Sequence, residues 1–112
     1  MAKLYLCAIG EDAIASPGNA NNLYIVVSVT NGRGEPVTGL KIKNFSIGSE
    51  IVGPGGSISH IDSISNGKSP GTYLLMVLPL AGQTWKAGVY IFSVNATKGR
   101  SKGQTLCSFK MD

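Results

Sequence analysis

Apolar residues recur at every second position along several short stretches of the chain. Every second residue from Leu23 to Val29 is aliphatic, and every second residue from Tyr90 to Ala96 is apolar. A period of two residues is typical of a β-strand that buries one face. Segments rich in Gly, Pro, Ser and Asn separate these stretches, as between strands of an antiparallel sheet. We therefore expect a chain built from strands.

The pattern predicts about seven strands. They are Lys3–Ile9, Leu23–Thr30, Leu40–Ile47, Ile58–Ile64, Tyr73–Leu78, Val89–Ala96 and Thr105–Met111. No helical pattern alternates with them, so a parallel α/β sheet is not expected. With 112 residues the chain is long enough for one domain with its own core. We predict one domain, residues 1–112, with an all-β, immunoglobulin-like antiparallel β-sandwich fold.

Some segments depart from a regular alternation. The apolar phase slips within Leu40–Ile47, which predicts a β-bulge near Lys43 and Asn44. Ile58–Ile64 has an isoleucine at every third position, which predicts a short irregular strand. Gly48–Ser57 holds four glycines and a proline and is predicted as a mobile segment or an edge connection. Tyr73–Leu78 is apolar on both faces, as in a strand covered on both sides.

Composition narrows the class of protein. Hydrophobic residues make up 43% of the chain and charged residues 14%, the opposite of a disordered segment. The formal charge is +4, but the basic residues are scattered along the sequence without interleaved aromatics. We therefore expect a solvated basic surface and no nucleic-acid binding. No apolar run approaches the ~20 residues of a membrane span, so no membrane insertion is expected.

The first ten residues contain a single Lys, followed by a run of six apolar residues, Leu4–Ile9, which is shorter than a signal peptide needs. They are better explained as a first strand. The protein is then either cytoplasmic or, as part of a longer secreted chain, extracytoplasmic or at the cell surface.

Two cysteines, Cys7 and Cys107, lie near opposite ends of the chain. The first and last strands of an immunoglobulin-like sandwich often lie side by side, so a disulfide between the two is one alternative. It would close a loop of about a hundred residues and contribute roughly 4 to 5 kcal/mol in the chain-entropy model. The other alternative is a pair of thiols behaving as small apolar side chains.

A family resemblance is carried by residues 29–40, VTNGRGEPVTGL, followed by Phe45. This segment resembles the strand–turn–strand of bacterial immunoglobulin-like modules, with Asn31 where many of them carry Asp. Residues 71–94, with Gly71-Thr72-Tyr73 and Gly88-Val89-Tyr90, are similar to filamin-type and other immunoglobulin-like repeats. The second element resembles the tyrosine corner of these sandwiches, with Phe92 in place of the cysteine of antibody domains. The resemblance implies a recognition, adhesive or spacer role without catalysis.

Candidate catalytic and metal-binding residues are few. His60 is the single histidine, and the two cysteines are too far apart in sequence for a zinc finger. The six carboxylates form no evident acid–base pair, and no Gly-x-Ser-x-Gly element accompanies His60 and Asp62. We expect no enzyme activity, no cofactor and no metal site.

Two candidate binding elements remain. The predicted turn with Lys98, Arg100 and Lys102 is either a solvated hairpin tip or a surface for an acidic protein or anionic glycan. Trp85, beside Lys86, is either an exposed platform for sugar stacking or a side chain that plugs the end of the sandwich. The sequence thus predicts a non-catalytic protein-interaction or structural module, with a protein partner or a homo-oligomer. A carbohydrate-binding module using Trp85 is the alternative.

Overall fold

Seven antiparallel strands form two facing sheets. The structure, a computed structural model, describes residues 3–10, 23–52, 58–79 and 88–111. The strands are β1 (Tyr5–Gly10), β2 (Leu23–Thr30), β3 (Phe45–Val52), β4 (Ile58–Asn66), β5 (Thr72–Pro79), β6 (Gly88–Lys98) and β7 (Ser101–Met111). One sheet has the order β1-β2-β5-β4 and the other β3-β6-β7. The predicted all-β antiparallel sandwich is confirmed.

The core lies between the two sheets and follows the predicted alternation. On β2 the side chains of Ile25, Val27 and Val29 have no exposed surface. Leu75 and Tyr73, the β5 partners of Ile25 and Val27, are buried as well. On β6 the predicted face is buried without exception: Tyr90, Phe92, Val94 and Ala96. Phe109 of β7 stacks on Tyr90, with ring centroids 4.7 Å apart, and takes Phe92 edge-on at 5.6 Å. The aromatic pairs add to the stabilisation that burial alone provides.

The predicted strand Leu40–Ile47 is wrong in its first half. Residues Ile42–Asn44 form a single turn of 3₁₀ helix, and β3 begins only at Phe45. Asn44 fixes this turn because its Oδ1 accepts the Lys41 N–H at 2.7 Å and its Nδ2 donates to the Thr97 carbonyl at 2.8 Å. The slip in apolar phase is therefore absorbed by a change of backbone conformation before the strand, and no bulge lies at Lys43 and Asn44.

Register irregularities occur further along both edge strands. On β3 the pairing with β6 shifts between Ile47 and Val52, so residues 48–52 belong to a strand and not to the predicted connection; residues 53–57 lie outside the described part. On β4 the pairing with β5 shifts twice, between Ile58 and Ser63. The irregular strand predicted from the three-residue isoleucine spacing is thus confirmed.

Strand β5 is central in its sheet but is fully covered on one face only. Tyr73, Leu75 and Val77 point into the core and are buried. Leu74 and Met76 point outward and are half-buried. The prediction that both faces are covered therefore holds for the inner face alone.

Strand β1 closes one side of the sandwich by approaching β7. The Leu4 N–H donates to the Lys102 carbonyl at 3.0 Å, and Lys3 and Lys102 form a parallel bridge. From Tyr5 onward the same strand pairs with β2 in the other sheet. Since β1 and β7 run in the same direction and all sheet neighbours are antiparallel, the starts of β1, β3, β5 and β7 lie at one end of the molecule.

Both cysteines are free thiols in this structure. Cys7 is exposed on the outer face of β1, whereas Cys107 points from β7 into the core and is 2% exposed. The disulfide alternative is therefore not realised here. Desolvation by burial raises the pKa of the Cys107 thiol to about 11, as expected for a thiol that serves as a small apolar side chain.

Candidate functional site

Eight of the nine Lys and Arg side chains in the described part of the chain lie at the end of the sandwich where β1, β3, β5 and β7 begin. They are Lys3, Arg33, Lys41, Lys43, Lys68, Lys98, Arg100 and Lys102. All eight are exposed. We call this surface the basic end. Among the carboxylate side chains that the structure describes, that of Glu35 lies here, so the described part of this surface carries a large excess of positive charge.

The β6–β7 hairpin supplies three of these cations. Its tip is the turn Gly99–Arg100, between the paired residues Lys98 and Ser101. Gly99 has a φ of +60°, which a glycine adopts without strain and which lets the hairpin reverse tightly. The Lys98 Nζ donates to the Thr38 carbonyl at 3.3 Å. The hairpin predicted as basic is therefore present and is joined to the β2–β3 connection.

That connection supplies three more cations and begins with a turn built on one side chain. The Asn31 Oδ1 accepts the N–H groups of Arg33 at 2.9 Å and Glu35 at 3.1 Å. The Asn31 Nδ2 donates to a Glu35 carboxylate oxygen at 3.2 Å. An Asn side chain that bonds its own following backbone is a well-known way to hold a turn. The turn presents Arg33 to solvent and places the Glu35 carboxylate in a defined position.

The β4–β5 turn brings Lys68 to the same end. The Gly71 carbonyl accepts the Val29 N–H at 2.8 Å, which ties this turn to β2. A Cβ at Gly71 would lie 2.7 Å from that of Pro36, and its φ is +78°, so this close approach requires glycine. Lys68 and Thr38 line one shallow depression, and Thr38 is the residue that Lys98 contacts.

The first residues of the chain complete the surface. Lys3 Nζ lies 5.2 Å above the ring centroid of Tyr5, a cation–π geometry. Lys3, Tyr5, Arg33 and Glu35 line a shallow open groove. Four separate segments of the sequence thus meet at the basic end.

Sequence reasoning found only part of this surface. It singled out Lys98, Arg100 and Lys102 because they are adjacent in the chain, and it described the remaining positive charge as scattered. The structure corrects that description. The five missed residues are Lys3, Arg33, Lys41, Lys43 and Lys68. The sequence does contain a signal for them: they lie at the starts of the first, third and fifth predicted strands or after the ends of the second and fourth. These positions share one end of the sandwich only if neighbouring strands are antiparallel.

Trp85 and Lys86, the other candidate binding residues, lie outside the described residues, and the carbohydrate alternative stays a prediction. The backbone of His60 lies in β4, and its side chain is likewise outside the description. Within the described ranges, no three His, Cys, Asp or Glu side chains lie close enough to hold a metal ion. The same ranges contain no helix long and apolar enough to cross a membrane.

Comparison with protein-family models gives no match for this chain, and comparison with curated proteins gives none either. Inferences about its function therefore rest on the geometry and charge described above.

Proposed function

We propose that this chain is a non-catalytic, immunoglobulin-like binding module that engages an acidic protein partner through its basic end. The observation that carries the proposal is the gathering of eight of the nine described Lys and Arg side chains on one end of the sandwich, where Glu35 is the one carboxylate among the described residues. The resemblance to immunoglobulin-like modules supports the interaction role. The strand order supports it too, since β1-β2-β5-β4 facing β3-β6-β7 is the order of constant-type immunoglobulin sandwiches. Binding proteins of this type need a presented surface and no reaction chemistry.

Hydrogen bonds hold the backbone beneath the cations in place. Charges in a fixed arrangement favour specific recognition over nonspecific electrostatic attraction. The Asn31 side chain fixes the turn before Arg33, and Asn44 and Lys98 bind neighbouring carbonyl groups. Charges on a preorganised surface need less ordering when a partner binds. Complementary charge mainly accelerates association and excludes partners of the wrong sign.

The dimensions of the basic end suit a transient interface. The molecule measures 43 × 26 × 20 Å, and its longest strands, at about 3.3 Å per residue, run along the long dimension. The end then presents roughly 500 Å² to a partner, and about 1,000 Å² of total buried surface lies at the low end for specific complexes. We expect micromolar affinity that weakens as salt screens the charges.

The test measures binding of a fluorescent poly-glutamate peptide by anisotropy at 50 and 300 mM NaCl. The native chain should bind at low salt and lose at least tenfold in affinity at high salt. A variant combining Arg33→Glu, Lys68→Glu and Arg100→Glu should lose at least tenfold at 50 mM NaCl. These three side chains lie on separate turns, so loss of binding reports the shared surface.

A matched pair of single variants tests whether binding depends on charge at the basic end or on the net charge of the chain. Arg100→Glu and Lys110→Glu change the total charge equally, but Lys110 lies near the opposite end of β7. Arg100→Glu should weaken binding several-fold and Lys110→Glu less than twofold. Equal losses, or no binding by the native chain at 1 mM, would refute the proposal. Heparin or single-stranded DNA binding more than tenfold tighter than the peptide at equal salt would refute a protein partner.

A further inference from the structure

An open pocket lies on the outer face of the four-stranded sheet, next to the β4–β5 turn. It is lined by Val26 of β2, Leu74 of β5 and residues 66–69 of the turn. Its volume is about 520 Å³, within the range of pockets that hold small ligands or single parts of a partner. We call it the aliphatic pocket. It adjoins the basic end but differs from it in chemistry.

Two aliphatic side chains form the wall of the aliphatic pocket on the sheet. Val26 and Leu74 are directly paired across β2 and β5, so their side chains lie side by side on the outer face. Val26 is 48% exposed, and Leu74 is half-buried. Water in contact with these groups would be released if an apolar side chain covered them. The wall therefore favours an apolar group of a partner.

Hydrogen bonds fix the turn that forms the opposite wall. The Gly67 N–H donates to the Thr72 carbonyl at 2.8 Å, and the Thr72 N–H donates to the Ser69 carbonyl at 3.1 Å. The Thr72 hydroxyl also accepts the Ser69 N–H at 3.2 Å. The pocket is thus formed before a partner binds, and little chain entropy is lost when it is filled.

Lys68 gives the aliphatic pocket its charge. It is the one charged residue among the described residues that line the pocket, and its side chain is exposed. Asp62 on β4 lies four residues before Asn66, about 13 Å along the strand. At that separation dissolved salt largely screens its charge. A group placed beside Lys68 therefore meets a positive potential.

Lys68 also connects the aliphatic pocket with the rest of the basic end. On the other side of the turn it lines a depression together with Thr38, whose carbonyl accepts the hydrogen bond from Lys98. A partner segment that crosses the turn would pass from the aliphatic wall to these cations.

The wall and the cation together select the occupant. A purely acidic segment would leave Val26 and Leu74 in contact with water. A purely apolar segment would desolvate Lys68 without supplying a countercharge. A segment with one large apolar residue among acidic residues satisfies both requirements, because its apolar side chain covers the wall while its carboxylates reach the cations.

We propose that the aliphatic pocket determines which acidic partners are bound, by taking one large apolar side chain that is flanked by acidic residues. The inference rests on the proposed function and adds a preference among acidic segments. The basic end attracts such a segment, since complementary charge mainly accelerates association. The pocket then selects it, because an apolar anchor in a preformed pocket carries much of the binding energy of an interface.

The test compares two fluorescent peptides of equal charge, EEELEEE and EEEAEEE, by anisotropy at 50 and 300 mM NaCl. Each fully buried CH₂ group strengthens binding about fourfold. Leucine in an open pocket should therefore bind at least fivefold tighter than alanine. The ratio of the two affinities should persist at 300 mM NaCl, since salt screens charge but does not weaken burial. Equal affinities would overturn the proposal and leave the proposed function intact.

Val26→Thr and Val89→Thr form a matched pair of variants. Val89 is 52% exposed on β6 of the other sheet, and both changes replace a methyl group with a hydroxyl in a strand. Val26→Thr should lower the leucine-to-alanine ratio at least twofold, and Val89→Thr should leave it unchanged. Equal effects of the two variants on this ratio would overturn the proposal.

Two other variants separate the wall from the charge. Leu74→Thr should lower the leucine-to-alanine ratio at least threefold, because it removes more of the wall. Lys68→Gln should weaken both peptides by similar factors, since their charges are equal. A ratio that is unchanged in both Val26→Thr and Leu74→Thr would show that the leucine binds elsewhere. Circular dichroism verifies folding, and Val26→Thr, which keeps the shape of the side chain, decides alone if Leu74→Thr unfolds.

The remaining outcomes distinguish this inference from the proposed function. If the leucine peptide binds in a manner sensitive to Val26→Thr while the alanine peptide does not bind at 1 mM, the pocket stands and the role given to the basic end is wrong. If neither peptide binds at 1 mM, both are overturned. Octanoate that binds as tightly as the leucine peptide would show a site for a small aliphatic acid, and would overturn a protein segment as the occupant.

Discussion

The phenolic hydroxyl of Tyr73 donates a 2.6 Å hydrogen bond to the carbonyl of Val37. The same oxygen accepts the Leu40 N–H at 3.3 Å, and the ring packs against Phe45 with centroids 5.3 Å apart. Tyr73 stands on β5 of one sheet, and the segment it binds leads to β3 of the other. One side chain therefore holds the crossing between the sheets. The sequence analysis assigned such a corner role to Tyr90 and treated Tyr73 only as the start of a strand.

Replacing Tyr73 by Phe should lower the free energy of unfolding by about 1–3 kcal/mol. The ring and its packing stay, but two buried backbone groups lose their partner, and an unsatisfied buried polar group is costly. Urea denaturation measures the change. Tyr5→Phe is the control, since Tyr5 is 51% exposed, and it should change stability by less than about 0.5 kcal/mol. Equal effects would contradict the role given to the Tyr73 hydroxyl.

Replacing Asn31 by Ala should destabilise the turn that presents Arg33. Two backbone N–H groups lose the Oδ1 acceptor, which costs about 0.5–1.5 kcal/mol each in this partly exposed site. Thermal unfolding measures the loss, and poly-glutamate binding should weaken because the turn no longer holds Arg33 in place. Asn95→Ala is the comparison: the Asn95 side chain makes one long hydrogen bond, 3.5 Å, to Ser46. It should leave both measurements nearly unchanged.

Replacing Gly103 by Ala should displace β1 from β7. The added Cβ would lie 2.2 Å from the Leu4 carbonyl oxygen, and a backbone atom cannot move aside as a flexible side chain can. We expect a loss of about 1–3 kcal/mol and faster hydrogen exchange at the Leu4 amide. Gly32→Ala meets open space and should be close to neutral. If the Leu4 amide exchanges as slowly in Gly103→Ala as in the native chain, this account of the contact between β1 and β7 is wrong.

The two thiols should differ sharply in reactivity. Cys7 is exposed, whereas burial raises the pKa of Cys107 from 9.0 to about 11. The raised pKa lowers the thiolate fraction of Cys107 near neutral pH about a hundredfold, apart from its steric protection. Mass spectrometry after brief alkylation should find label on Cys7 alone, and denatured protein should take up two labels. Protein purified without reductant should contain no Cys7–Cys107 disulfide.

The raised pKa of Cys107 makes the free energy of unfolding depend on pH. Because the folded pKa lies above the unfolded value, the folded state favours the protonated thiol. The resulting stabilisation is complete below pH 9 and should be lost as the pH rises toward 11. Urea midpoints should fall over this window in the native chain and fall less in Cys107→Ala. Identical pH profiles would exclude Cys107 as the titrating group.

The pattern of apolar residues predicted the structure correctly where burial of one strand face decided the conformation. The alternation of β2 and β6 predicted the buried face of each strand, because a strand between water and a core has a period of two. The same logic failed at Leu40–Ile47. There the outcome depended on Asn44, whose side chain binds Thr97, 53 residues away. A bulge and a 3₁₀ turn both repair the apolar phase, and only that distant contact selects between them.

The sequence by itself determined that the chain forms strands packed as a β-sandwich around an apolar core, because the spacing of apolar side chains along a strand decides which of them are buried. It also exposed the basic hairpin, because Lys98, Arg100 and Lys102 are neighbours in the chain. Only the tertiary structure decided that five further cations join them and that one of these, Lys68, lines a pocket with Val26 and Leu74. Both surfaces are made of residues far apart in sequence, and the order in which strands pair is what brings such residues together.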